Sequence, residues 1–458
     1  MIKSMMGVIR SRRYQRLGRE FSWIGLGQVL TVLGGMVAVR LLTQVLSPAR
    51  YGELALGLTV GGLANQLAFG PLQMGVLRFW GPALEANELR ACLAGVWGLL
   101  ARSSVLVLGI AGLLVMGLAV TGQTAWIGLA ATAFLLALIS GYERALDAMQ
   151  SAARQRAVTA WHQALAQWLR FLFALGLMAL LGAFSSVAMM GYVLATAVVL
   201  LSQFVFFRRR FSRLVLSEAG AFSADTRKWA QRIREYAWPF ATWGLFLWIQ
   251  QSSDRWALQA FGQTRDVGYY SVLYQLGYGP IIVLTGIIVQ FLQPILFARA
   301  GDGTDPFRVE RARRLNLLVM VAFLVLTMLG AGLALALHAQ VFAVLVAPEY
   351  RGVSLLLPWM VLSGGLFASS EVTALLLMSG VSTRILMAPK IGTAVLGVIL
   401  NVVGAHWFGL RGVVLASVGF SSALLIWMLA LSRSVRGARM STSSQLSRDE
   451  EAPHAEPA

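Results

Sequence analysis

Twelve long apolar blocks occupy most of this 458-residue chain, and they restrict its fold more than any other feature. Each is long enough to cross the hydrocarbon core of a bilayer as an α-helix. Only 13% of the residues are charged, against roughly 25% in soluble proteins. The blocks cover residues 21–46, 51–79, 92–119, 125–146, 158–182, 186–207, 237–261, 267–298, 315–337, 354–379, 385–406 and 410–432.

The blocks are predicted to be helices, because backbone polar groups in lipid must be paired and barrel strands are far shorter. We therefore predict an all-α polytopic membrane protein with twelve transmembrane helices. The first block follows a basic segment, as a signal peptide would. It is too long for a signal-peptide core and lacks a small-residue cleavage site, so we expect it to be retained.

The longest internal polar segment, residues 208–236, separates the predicted helices into two sets of six. This division predicts five regions along the chain. They are a basic cytoplasmic arm over 1–20, a six-helix bundle over 21–207, a basic cytoplasmic linker over 208–236, a second six-helix bundle over 237–432 and a disordered cytoplasmic tail over 433–458.

The net charge of +18 is concentrated in alternate loops. Lysine and arginine cluster before the first block, at 144–156, between blocks six and seven, at 299–314 and in the tail. The intervening loops carry only Arg50, Arg265, Arg351 and Arg411. This alternation is the positive-inside pattern, which places both termini in the cytoplasm and gives no reason to expect a nucleic-acid partner. The same charges are suited to anionic lipid headgroups, so membrane lipids are expected partners.

Motifs for enzyme chemistry are missing from the sequence. The chain has one cysteine, Cys92, and four histidines that are far apart, and it contains no HExxH, CxxC, GxSxG or phosphate-loop motif. We therefore predict that the protein is not an enzyme and has no catalytic residues, metal site or cofactor.

Two segments of the chain are similar to each other. VRLLTQVLSPARYGELAL (39–56) and RWALQAFGQTRDVGYYSVL (255–273) each contain an arginine, a tight polar turn and then a glycine beside a tyrosine. This similarity predicts a parallel repeat of two six-helix bundles about an axis along the membrane normal. The Gly70-Pro71 and Gly279-Pro280 breaks fall at different offsets in the two segments, which argues against strict symmetry.

Residues 40–80 (RLLTQVLSPARYGELALGLTVGGLANQLAFGPLQMGVLRFW) resemble the first hairpin of bacterial polysaccharide exporters. These are the O-antigen and lipid-linked oligosaccharide flippases of the multidrug/oligosaccharidyl-lipid/polysaccharide superfamily. Residues 253–276 are similar to the opening of their second half, and the twelve-span plan matches over nearly the whole chain. The resemblance implies a V-shaped pair of bundles around a central cavity that opens to one side at a time.

Ionisable and amide side chains inside the predicted spans are the candidate substrate or cavity residues, because such groups are costly in lipid and usually face water or one another. They are Arg40, Arg170, Asp254, Arg255, Glu371, Lys390, Gln250, Gln251 and Asn65, with Gln66, Gln73 and Asn401 as further polar positions. Each amide has the alternative role of hydrogen bonding between helices.

Each charged candidate also has a structural alternative. Arg40 could extend outward to the interface, and Arg170 is too deep to do so easily. Neighbouring positions on a helix point about 100° apart, so we predict that Asp254 and Arg255 do not pair and that each has its own partner. For Asp254, a contact with Arg40 or another structural tie is favoured over a direct role in transport. Glu371 either pairs with Lys390 or binds a proton or sodium ion.

The function predicted from the resemblance is translocation of a polyprenyl-diphosphate-linked oligosaccharide across the bacterial cytoplasmic membrane. Its expected partners are that lipid-linked substrate, a coupling proton or sodium ion, and the polymerase and chain-length machinery of surface polysaccharide synthesis. A multidrug exporter of the same superfamily is the alternative. A polymerase or ligase is less favoured because every predicted outer loop is short, and the signature of major-facilitator transporters is absent from GPALEANELRA.

The charge pattern predicts a topology that reporter fusions can test. Fusions at Ser185 and Gly262 should report an outside location, and fusions at Ser217 and Asp305 an inside one. A fusion in the 208–236 segment that reports an outside location would contradict the division into two sets of six.

Overall fold

The computed structural model describes residues 25–216, 224–300, 306–379 and 387–450, and these residues form helices and turns without a strand. The helices are α1 Gly25–Val45, α2 Pro48–Ala64, α3 Gly70–Glu85, α4 Leu89–Val120, α5 Ile127–Ala152, α6 Arg156–Leu181, α7 Ser185–Leu216, α8 Ala224–Phe261, α9 Thr264–Leu273, α10 Gly279–Ala300, α11 Pro306–Leu345, α12 Leu357–Ser379 and α13 Met387–Glu450. Short 3-10 helices, Thr124–Trp126 and Pro348–Leu356, precede α5 and α12.

Nine stretches of the described residues are helical, long and apolar enough to cross a membrane. One of them, Ala388–Ser434, contains two helices that meet at Gly409, whose φ of 57° and ψ of −136° interrupt α13. We count these two helices separately and add the α2–α3 stretch and α8. The described chain then has twelve long helical segments, in the positions of the twelve apolar blocks. The prediction of a twelve-helix, all-α membrane protein is confirmed.

Several helices extend past the apolar blocks, because helix formation depends on backbone hydrogen bonds and not on apolar side chains alone. α7 ends at Leu216 and α8 begins at Ala224, so both reach into the predicted linker. α13 reaches Glu450, within the segment predicted to be a disordered tail. The predicted basic arm over 1–20 and residues 217–223 and 451–458 lie outside the described residues.

The chain contains two compact units, and the first unit also includes two short segments from the C-terminal half of the chain. Unit 1 comprises Met1–Leu276, Ala339–Leu355 and Asn401–Val413. One of its buried clusters lies among α3, α4, α5, α7 and α8, and includes Phe69, Trp80, Leu100, Met149 and Phe207.

Unit 2 comprises Gly277–His338, Leu356–Leu400 and Val414–Ala458. One buried cluster comes from α10, α11 and α12, and includes Leu292, Leu296, Met320, Val372 and Leu375. A second joins α12 to α13 through Ala374, Leu377, Leu424 and Met428.

A short π-helix precedes each of the two Gly-Pro pairs. Asn65–Phe69 leads into Gly70 at the start of α3, and Tyr274–Tyr278 leads into Gly279 at the start of α10. Proline lacks an N–H group, and its ring collides with the carbonyl four residues earlier, so the wider π turn accommodates it. The two breaks differ in offset, as the sequence indicated, but they use the same local structure.

The first turns of α2 and α9 pack against each other through two glycines. A Cβ atom on Gly52 would overlap the carbonyl of Thr264, and one on Gly268 would overlap the carbonyl of Pro48. Pro48 and Thr264 each begin their helix, four residues before its glycine, so the contact is reciprocal. The similarity between residues 39–56 and 255–273 therefore includes the two residues that must be small for these backbones to meet.

Gly52→Ala and Gly268→Ala are each expected to destabilise the protein. Overpacking typically costs about 1–3 kcal/mol, and we expect a cost at or above that range because each new methyl group would meet backbone atoms that no rotamer change can move. The melting temperature of the purified protein in detergent should fall by several degrees. Gly109→Ala in α4, where nothing lies within 4 Å of the added methyl, is the control. Equal melting temperatures for Gly268→Ala and Gly109→Ala would contradict this contact.

Candidate functional site

The turn between α1 and α2 is hydrogen-bonded to the segment that follows α11, about 300 residues later in the chain. We call this contact the hairpin junction: Arg40, Thr43, Leu46, Tyr51, Gly52, Gly268, Tyr269, Gln275, Val346, Ala347, Glu349 and Tyr350. All of these residues belong to unit 1.

Three hydrogen bonds of the hairpin junction use backbone groups. Arg40 Nη1 donates to the carbonyl of Val346 at 2.8 Å, and the amide of Ala347 donates to Thr43 Oγ1 at 3.2 Å. The hydroxyl of Tyr350 donates to the carbonyl of Leu46 at 2.8 Å. Because α11 ends at Leu345, two of these bonds satisfy backbone groups just beyond a helix end, where no intrahelical partner is available.

Tyrosine rings fill the space around these hydrogen bonds. The ring of Tyr350 is fully buried, and it contacts Tyr51 and Tyr269 edge-on, with centroids 6.1 and 5.9 Å apart. Gln275 Nε2 donates to the hydroxyl of Tyr51 at 3.0 Å, and the hydroxyl of Tyr269 donates to the carbonyl of Glu349 at 3.4 Å. The hairpin junction is therefore closely packed and polar at its edges.

The predicted contact between Asp254 and Arg40 is not formed among the described residues, since Arg40 bonds to Val346 instead. The prediction that Asp254 and Arg255 do not pair is wrong: Arg255 Nη1 lies 3.2 Å from Asp254 Oδ1. The backbone positions do diverge, but the long arginine side chain folds back along α8 and also donates to the carbonyl of Gln251 at 2.8 Å. Its guanidinium lies over the ring of Tyr274, 4.7 Å from the centroid.

The uncharged candidates in unit 1 are divided between helix contacts and exposed positions. Asn65 is buried and donates to Ser140 Oγ at 2.7 Å and to the carbonyl of Ala137 at 3.1 Å. Asn401 donates to Ser253 Oγ at 3.0 Å. These two amides connect helices. Gln251 is exposed and Gln250 is half-buried.

Arg170 forms an ion pair with a buried acid that the sequence analysis missed. Arg170 Nη2 lies 3.5 Å from Glu143 Oε2, and the glutamate side chain is 7% exposed, against 32% for the arginine. One turn further along α5, Asp147 accepts hydrogen bonds from Gln203 at 2.8 Å and Gln163 at 3.1 Å. These five side chains form what we call the α5–α7 cluster.

Neither acid was a candidate, because block four ends at residue 146: Asp147 lies beyond that end, and Glu143 lies within one turn of it. α5 continues to Ala152. The spacing of four residues between two acids in SGYERALDAMQ, on one helix face, is the signal that could have identified them.

Glu371 and Lys390 form an ion pair in unit 2. The lysine Nζ lies 3.4 Å from the Glu371 carboxylate, and each side chain is 29% exposed. Of the two alternatives for Glu371, pairing with Lys390 is the one present in the structure.

Comparisons with known proteins identify solved structures that have a similar fold. The sequence matches no family model, and no curated protein matches it. Solved structures do match. An inward-facing multidrug resistance MATE family transporter of the MOP superfamily aligns at 15% identity and a TM-score of 0.63, covering 91% of this chain and 96% of that one. The lipid II flippase MurJ in an inward closed conformation aligns at 10% identity and 0.64, covering 90% and 87%. A mutant of the Vibrio cholerae MATE transporter VcmN aligns at 14% identity and 0.55, covering 92% and 98%.

The chain has the fold of the MATE and MurJ transporters. The match extends over nearly the full length of each structure. At 10–15% identity the likeness concerns the fold alone. The residues of the hairpin junction and the α5–α7 cluster must therefore be interpreted from their own chemistry.

The ion pair in the α5–α7 cluster predicts that Arg170→Ala destabilises the protein, because it leaves the buried Glu143 carboxylate without its cation. Removing one partner of a fully buried pair costs about 3–5 kcal/mol. We expect about 1–3 kcal/mol because Arg170 is 32% exposed and partly solvated. Melting of the purified protein measures this change.

The double variant Arg170→Gln with Glu143→Gln should recover part of that loss, because neither charge remains unpaired. Arg102→Ala, which removes an exposed arginine from α4, is the control. A melting temperature for Arg170→Ala equal to that of Arg102→Ala would show that the ion pair contributes nothing to stability.

Proposed function

We propose that the chain is a transporter of the MOP superfamily that moves a polyprenyl-diphosphate-linked oligosaccharide across the bacterial cytoplasmic membrane. The substrate would be loaded from the cytoplasmic side and released at the outer leaflet by alternating access. We place both termini in the cytoplasm and assign the hairpin junction to the outer side, because the basic loops lie at the opposite helix ends. The fold shared with a lipid II flippase, MurJ, supports transport of a lipid-linked substrate.

One observation favours an anionic substrate over a cationic drug. Among the described residues, the acids of the apolar blocks and Asp147 of α5 already have partners. These are Glu53 with Arg50, Glu143 with Arg170, Asp254 with Arg255, Glu371 with Lys390, and Asp147 with two glutamine amides. Arg40 has a carbonyl partner and no carboxylate in the described chain. Arg40 therefore carries a positive charge that no adjacent carboxylate in the described spans balances, which suits the diphosphate of a lipid-linked sugar.

Arg40 and Arg170 are the residues that we propose for substrate contact. The side chain of Arg40 is only partly buried, and its remaining guanidinium N–H groups are not used in the described structure. Arg170 Nε is buried without a hydrogen-bond partner. Arginine can hold phosphate oxygens in a bidentate manner. Gln250 and Gln251 are the amides that we propose for contact with sugar hydroxyls.

The hairpin junction is the proposed outer gate. It joins the first hairpin of the N-terminal half to the turn after α11 in the C-terminal half, so outward opening must separate these segments. Its hydrogen bonds end on backbone groups beside helix ends, which water can solvate when the contact opens. Coupling to a proton or sodium gradient, and contacts with a polysaccharide polymerase and chain-length machinery, would complete the role of the protein in surface polysaccharide synthesis.

Transport by purified protein in vesicles tests the substrate class. A fluorescent polyprenyl-diphosphate oligosaccharide should cross the bilayer faster in vesicles with the protein than in empty vesicles, while a cationic dye should show no protein-dependent movement. Arg40→Gln should lower the rate of lipid movement at least tenfold, because it removes the cation that has no carboxylate partner. Dye movement without lipid movement would instead favour the multidrug alternative.

Cross-linking tests the gate. Thr43→Cys with Ala347→Cys, in a Cys92→Ser background, should lose transport when a short bifunctional thiol reagent joins the two positions and regain it on reduction. Ser363→Cys with Ser421→Cys joins α12 to the second helix of α13 inside unit 2, where the two native hydroxyls lie 3.1 Å apart, and should retain transport when cross-linked. Full transport with positions 43 and 347 joined would disprove the gate.

A further inference from the structure

Four arginines surround one cavity in unit 2, apart from both the hairpin junction and the α5–α7 cluster. Arg299 lies in the last turn of α10, and Arg308, Arg311 and Arg314 lie in the first three turns of α11. With Leu315 and Leu318 they line an open cavity of about 700 Å³. All four arginines are exposed. We call this the arginine pocket.

The order of residues along α11 gives the pocket a polar end and an apolar end. Positions 308, 311, 315 and 318 follow the spacing of one helix face, so two arginines are succeeded by two leucines on the same stripe. Arg308 and Leu318 are ten residues apart, which corresponds to about 15 Å along a helix. Leu318 is 68% exposed and belongs to the apolar stretch that crosses the membrane. The stripe thus passes from an interfacial to a hydrocarbon environment.

The polar end carries positive charge that the described protein does not neutralise. Glu310 lies 3.6 Å from both Arg313 and Arg314, so a single carboxylate serves two arginines. Within the described residues, neither Arg299 nor Arg311 has an ion-pair partner. Guanidinium groups in such a cluster repel one another, and an anion that takes two hydrogen bonds from each would relieve the repulsion.

We propose that the arginine pocket binds an anionic phospholipid of the bilayer. Its phosphate would lie between Arg299 and Arg311, and an acyl chain would lie against Leu315 and Leu318. A soluble phosphate would use the arginines only, whereas a phospholipid uses both ends of the pocket. Basic pockets between membrane helices on the cytoplasmic side are suited to such headgroups. This proposal does not depend on the substrate of the transporter.

Native mass spectrometry of the purified protein in detergent tests the proposal. Dioleoyl phosphatidylglycerol should bind the wild-type chain more tightly than dioleoyl phosphatidylcholine. Arg299→Gln with Arg311→Gln should weaken phosphatidylglycerol binding about tenfold or more and leave phosphatidylcholine binding unchanged. Arg208→Gln with Arg210→Gln on α7 removes the same charge from exposed positions outside the pocket, and should change binding less than twofold. Equal losses in the two double variants would overturn the proposal, because they would show only general attraction between charges.

Three further measurements separate the pocket lipid from other sources of phosphate. Leu315→Ser with Leu318→Ser should weaken phosphatidylglycerol binding, and no change would disprove the acyl-chain contact. Inorganic pyrophosphate should fail to displace the lipid, and displacement at equal concentration would assign the pocket to soluble phosphates. A prenyl diphosphate that binds more tightly than phosphatidylglycerol would assign it to a lipid-linked substrate instead.

A milder substitution covers the case in which the double glutamine variant does not fold. Arg311→Lys keeps the charge but loses the planar fork, so it should weaken phosphatidylglycerol binding a few-fold at an unchanged melting temperature without lipid. Unchanged phosphatidylglycerol binding by Arg311→Lys would show that the fork is not used, and would count against the proposed phosphate position.

Discussion

The backbone contact between Gly52 and Gly268 is the constraint on which the hairpin junction depends. Because each glycine faces the carbonyl at the start of the opposite helix, α2 and α9 approach more closely than any side chain would permit. Tyr51 and Tyr269, each beside one of these glycines, are thereby both brought into edge-on contact with the buried Tyr350 ring. The hydrogen bonds from Arg40 and Tyr350 to backbone carbonyls belong to the same junction as this close approach of α2 and α9. A larger residue at either glycine would separate the helices and loosen the contacts around them.

A second constraint acts on the charged side chains inside the membrane segments. A carboxylate without a partner is costly in a medium of low polarity. Glu53, Glu143, Asp254 and Glu371 each pair with a cation, and Asp147 accepts hydrogen bonds from two amides. The pairs differ in the sequence separation of their partners. Asp254 pairs with its neighbour in the chain, whereas Glu143 and Glu371 each pair with a residue of another helix. Arg40 lies outside this scheme, because its partner is the carbonyl beyond the end of α11. A carbonyl bears only a partial charge, so Arg40 keeps most of its positive field.

The twelve helices could be predicted from the sequence because each apolar block is long enough to form a span by itself. The glycine beside a tyrosine in each repeated segment was visible in the sequence, but it indicated only a repeat and did not predict that α2 and α9 are in contact. The partners of Arg40, Arg170 and Asn65 could not be predicted, because they come from other helices and depend on packing that no local pattern encodes. The error at Asp254 had a different origin: helical spacing gives the direction of Cβ, but it does not restrict where a long arginine side chain ends.

The hairpin junction and the α5–α7 cluster differ in the free energy that breaking their contacts would cost. The hydrogen bonds of the junction end at helix termini, where water can replace each partner. Separating Glu143 from Arg170 would instead leave a carboxylate that is 7% exposed without its cation, at a cost of about 1–3 kcal/mol. If the protein alternates between two access states, the less costly change is to open the junction and keep the cluster intact. The cluster would then hold α5, α6 and α7 together as a rigid body, and the junction would be the part that moves.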